Sequence, residues 1–116
     1  MKDNVQLLID ILLDKTARED ERDDAAIDLR IYKDVRALKA LIEIASDPNE
    51  DDTIVNNCAE SIGEICVAMH LFSEDSFNKM IPFAQKIVFN FIMAYKPELI
   101  HQPMRTKFIK EFNQLQ

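Results

Sequence analysis

An all-α fold, a short solenoid of antiparallel helix pairs with five to seven helices, follows from three observations. Every regular segment reads at helical spacing, with apolar residues three and four apart. One glycine and four prolines in 116 residues leave little room for the tight turns of a β-sandwich or barrel. The third observation is an internal offset of 33 residues, which aligns Arg22, Ala25, Ala26 and Leu29 with Val55, Cys58, Ala59 and Ile62. Two small residues and an aliphatic per helix let neighbouring helices approach closely, and recurrence at such a period marks a helical solenoid. A fold of that kind offers a binding surface and carries no chemistry of its own.

The elements follow in order, within a single domain spanning residues 1–116. Val5, Leu8, Ile9 and Leu12 make residues 4–15 an amphipathic first helix. The second runs from Asp20 to Tyr32, opened by the acids Glu19, Asp20 and Glu21, which favour a helix N-terminus. Lys33-Asp34 is a short turn, and the third helix reaches Ala45. Ser46-Asp47-Pro48-Asn49 ends it, because proline restricts its predecessor and the Asx residues favour turns. The acidic segment Asn49–Thr53 caps a fourth helix that continues to Leu71, with Val55, Cys58, Ala59, Ile62, Ile65, Cys66 and Met69 as its buried stripe. Gly63, the only glycine, sits mid-helix at a cost of about 1 kcal/mol relative to alanine, so a close helix crossing is expected there.

Ser73-Glu74-Asp75-Ser76 starts the next helix, and Pro82 suits the first position of the one after. Residues 83–93 are apolar on most sides and are expected to be central in the fold. Pro103 marks a break, after which Met104–Gln116 forms the last helix with Phe108, Ile109, Phe112 and Leu115 inward.

The net charge of −7 disfavours nucleic acid and anionic membrane, which both need a cationic surface. The charge is uneven: residues 1–75 hold 19 acids and 8 bases, and residues 76–116 hold 2 acids and 6 bases. Such an acidic region is either a solvated surface or a face that steers a basic partner. Cys58 and Cys66 lie eight apart on one helix, about 12 Å along its axis, too far for a disulfide. With no secretory or membrane-length apolar run, the residues predict a cytoplasmic protein.

Two stretches resemble HEAT-repeat proteins. Asp34-Val35-Arg36-Ala37-Leu38 through Asp47-Pro48 matches the first helix and turn of that repeat, and Cys58-Ala59-Glu60-Ser61-Ile62-Gly63 matches the core of its second helix. Arg22–Arg30 looks like the second helix of the preceding repeat, with Arg30 where the glycine is expected. The Phe-rich end departs from the pattern and reads as a divergent cap. The resemblance implies recognition through a concave face lined by second helices. DNA glycosylases of this fold need a basic groove, which the acidic N-terminal region does not provide. Its metal-dependent hydroxylases use His-Glu pairs, and neither His70 nor His101 precedes a glutamate. Small acidic HEAT-like chains are also similar to bacterial immunity proteins, which neutralise a cognate toxin in the cell that makes it.

Cys66 and His70 stand at i, i+4, a spacing two metal ligands can use, but a zinc site needs more ligands than these. No nucleophile–base pair, phosphate loop or ligand set appears, so no enzyme activity, metal or cofactor is expected. The expected partner is a basic toxin domain, such as a nuclease; the alternative is a non-toxin protein bound by a general HEAT-type adaptor. The expected contact residues are Asp20, Asp24, Asp28, Glu60 and Glu64, with Glu50, Asp51 and Asp52 as hydrated acids at the rim. By the repeat alignment, Asp24 should lie above Asn57 and Asp28 above Ser61.

Overall fold

Side chains in the turns set the starts of four helices. In the computed structural model, which describes residues 1–114, Asp3 caps α1 (Asn4–Leu13) by accepting the Gln6 N–H. α2 covers Glu19–Asp28 and tightens into a 3-10 turn at Leu29–Ile31, so the second helix is shorter than the apolar pattern predicts. Asp34 is extended and caps α3 (Val35–Ala45) at the Arg36 N–H. Because α2 must end before that cap, its last turn contracts and leaves Leu29 fully buried.

Asp51 accepts from the Thr53 and Ile54 N–H groups and starts α4 (Asp52–Met69). The helix stops two residues short of Leu71, because His70 turns left-handed (φ 54°) and the Leu71 N–H returns to the Cys66 carbonyl. Ser73 caps the short α5 (Glu74–Lys79), and Pro82 is the first residue of α6 (Pro82–Tyr95) as expected. A 3-10 turn at Pro97–Leu99 leads to α7 (Gln102–Gln114). Pro103 lies in the first turn of α7, where its missing N–H costs nothing, and so does not mark a break. The seven helices make the protein all-α, with no strand among the described residues.

α4 is the central element. It packs on α2, α3 and α6, while α1 packs on α2 and α3. The even-numbered helices α2, α4 and α6 are therefore neighbours in series. The expectation that residues 83–93 occupy the centre is corrected: α6 buries only Ala84, Val88, Phe89 and Ile92. Its outer face leaves Phe83 and Tyr95 exposed, while α4, the 3-10 turn after α6 and the aromatics of α7 cover the other side. On α7, Met104, Phe108 and Phe112 face inward and Ile109 is 45% exposed, contrary to expectation. A single covered face selects positions three and four apart, and Ile109 is one step round from Phe108. Leu115 lies outside the described residues.

The one glycine sits at a close crossing of α4 and α6. A Cβ at Gly63 would stand 3.0 Å from the Cβ and ring carbons of Phe91 on α6. Gly63→Ala gains about 1 kcal/mol of helix propensity but forces a contact whose overpacking costs about 1–3 kcal/mol. Phe91 Cβ is tied to the α6 backbone, so the clash is expected to win. Urea unfolding should show a lower midpoint for Gly63→Ala, and a higher one would contradict the crossing.

Candidate protein interface

The eight acids named above divide into three groups with different surroundings. Glu50, expected to be hydrated at the rim, has a side chain only 5% exposed. It forms a fork-to-fork pair with Arg22, Nη1 to Oε1 at 2.9 Å and Nη2 to Oε2 at 2.7 Å, and a second bond with Lys15. Arg22 is itself buried and donates through Nε to the Leu12 carbonyl at 2.9 Å. The guanidinium hydrogen bonds, against the opposing effect of burial, hold the Glu50 carboxyl down at about 2. Glu50 is therefore a clamp joining the α1–α2 and α3–α4 connections. Asp51 caps α4, and only Asp52 of this group is an uncommitted exposed acid.

Glu60 and Glu64 face the 3-10 turn that follows α2. Arg30 reaches across with Nε 3.0 Å from Glu64 Oε2 and Nη2 3.8 Å from Glu60 Oε2, so it bridges the like-charged pair. The residue standing where a repeat glycine was expected thus supplies the missing counter-charge. The same Nε lies 3.2 Å from Ser61 Oγ, and Ser61 donates to the Ala26 carbonyl at 2.7 Å. Asn57 donates to Asp23 at 3.0 Å, so Asp23 rather than Asp24 faces it, and Arg30 and Ala26 rather than Asp28 face Ser61. The stripe that faces α4 is 23 and 26 on α2 and 30 on the 3-10 turn after it, positions three and four apart, which the fixed 33-residue offset could not resolve.

Asp20, Asp24 and Asp28 form the third group, a row at i, i+4 on exposed positions of α2. Asp20 pairs with Arg18 at 3.1 Å, while Asp24 and Asp28 have no hydrogen-bond or ion-pair partner among the described residues. Asp28 opens onto a groove beside α1, together with Leu7, Ile31 and Tyr32. Glu60 and Glu64 open onto a different groove, walled by Phe91 and Tyr95 of α6. Asp28 and the Glu60–Glu64 pair therefore open onto separate grooves.

Cys66 is buried and His70 is the left-handed end of α4, so the pair serves packing and helix termination. Burial pushes both the Cys58 and Cys66 thiols up to about 12, as small core residues. Sequence reasoning missed the buried role of Arg22 and the apolar exposure of Leu7 and Ile31. A signal for Arg22 existed: it aligns with Val55, a core position.

Fold and surface together define an all-helical protein whose open features are an acidic α2 edge and apolar grooves. The chain matches no protein-family model, no curated protein and no solved structure. No helix among the described residues is long and apolar enough to cross a membrane.

Proposed function

We propose that this chain is a non-enzymatic protein-binding module, an immunity protein that acts in the cytoplasm and neutralises a basic toxin, with a nuclease as the fitting class. The observation that carries this reading is the α2 row, in which Asp24 and Asp28 are exposed and unpaired. Like charges four apart repel on a helix, and a basic surface laid over them relieves that repulsion. A nuclease site built for phosphates offers such a surface. The HEAT-like stacking proposed for the fold is supported by α2, α4 and α6 lying in series. No metal or cofactor has a part in this reading.

A second reading, a general adaptor for a non-toxin protein, is favoured by a different observation. Ile31 is 74% and Leu7 49% exposed, and both line the groove that Asp28 opens onto. Exposed aliphatics clustered in a groove suit a partner held by apolar contacts.

The test uses the toxin-like domain expected to be encoded beside this chain. Asp24→Lys with Asp28→Lys should keep the fold, since both side chains are exposed, and weaken that complex by roughly tenfold or more. Wild-type binding should also weaken clearly as salt rises. Binding that ignores salt and both acids, but fails with Ile31→Asp, supports the adaptor. Cells expressing the toxin domain and left unprotected by this chain would refute immunity.

A further inference from the structure

An apolar pocket of about 210 Å³ lies between α3, α4, α5 and α6, away from the α2 acids. Its lining includes Ile62, Phe77 and Val88, all fully buried, together with the nearly buried Cys66. Val35 and Leu71 are its half-exposed lip. The polar residues of the lining are Lys39, Ser73 and Ser76, none of them fully buried, and no carboxylate lines it although the chain has 21 acids. Glu74, next to Ser73, lies instead 3.3 Å from His101. Ser73 Oγ accepts the Ser76 N–H at 3.2 Å, and its own proton remains available to donate.

We propose that this pocket binds a medium-chain amphipathic anion, with an alkyl chain among the buried residues and a carboxylate at Lys39. A cavity of about 150 Å³ lined by Leu, Ile and Phe accepts benzene, so this one scales to a chain of roughly eight carbons. The anion is chosen by charge complementarity. On a chain of net charge −7, this pocket meets solvent with one cation and hydroxyl donors. Apolar depth with a few convergent polar groups is the usual build of a small-ligand site. The inference is independent of the toxin reading.

Titrating octanoate into isotope-labelled protein, followed by amide NMR, tests it. Saturable shifts are expected at Leu38, Cys66, Phe77 and Met80, with a dissociation constant of roughly millimolar or tighter. Lys39→Glu, at an exposed position, should weaken octanoate roughly tenfold and leave octanol unchanged. Ile42→Phe should fill the pocket and remove both; if it does not fold, the Lys39 comparison still decides. Absence of pocket shifts would overturn the proposal, as would shifts confined to the basic α7. Equal binding of octanoate and octanol, unmoved by Lys39→Glu, would overturn the anion and point to an apolar side chain of a protein partner as occupant.

Discussion

Arg22→Ala is expected to lose about 3–5 kcal/mol of folding stability, a large fraction of the roughly 5–15 kcal/mol that holds a domain of this size. The loss arises because the Glu50 carboxylate, 5% exposed, keeps only Lys15 as a counter-charge, and the Leu12 carbonyl loses its donor. A buried charge stripped of its partner costs far more than an exposed pair contributes. The double variant Arg22→Met, Glu50→Leu should recover part of the loss, since it removes both charges together. Asp24→Lys is the surface control and should change stability by no more than about 0.5 kcal/mol. Urea unfolding of the four proteins measures all of this, and a loss below about 1 kcal/mol for Arg22→Ala would show that the clamp is not a stabilising contact.

The same pair sets a pH dependence. The Glu50 carboxyl sits at about 2 in the folded chain, below its ordinary 4.5. The unfolded chain therefore takes up the proton first as pH falls. The pair contributes fully above pH 4.5, and its contribution is lost as pH drops towards about 2. Over that window the stability of Arg22→Ala should fall less steeply than that of the wild type.

Phe77→Ala is expected to cost a further large amount, about 3–5 kcal/mol. Phe77 is fully buried and is the only buried residue of the six-residue helix α5. Its ring meets Phe108 edge-on at 4.8 Å and Phe72 at 5.6 Å. A helix this short has no stability of its own and persists through its anchor. Hydrogen exchange should therefore accelerate across residues 73–80 in Phe77→Ala before the rest of the chain responds. Because the ring also lines the apolar pocket, the variant should enlarge that pocket and accept longer alkyl chains. Unchanged exchange in α5 would mean that other contacts hold it.

The helices were legible because their causes are local. Apolar residues three and four apart gave α1, α3 and α4; Asp34, Asp51 and Ser73 cap as Asx and Ser residues do; and Pro82 starts α6. Gly63 marked a close crossing because nothing else explains a glycine mid-helix, and Phe91 is what fills the space. The candidate site was less legible. Composition counts Glu50 and Asp24 alike as acids, yet one is held by Arg22 across 28 positions and the other meets only solvent.

The sequence by itself therefore determined the all-α class, the starts of α4, α5 and α6 and the acidic bias of the first 75 residues. Spacing, capping and composition act within a few residues of where they are read. Tertiary structure alone decided that α4 rather than α6 is central, that Arg30 offsets Glu60 and Glu64, and that Glu50 is a clamp. Each of those outcomes depends on which distant helix face meets a side chain, and on the desolvation that follows. A carboxylate's role is set by the dielectric and partners around it, and no local pattern encodes those.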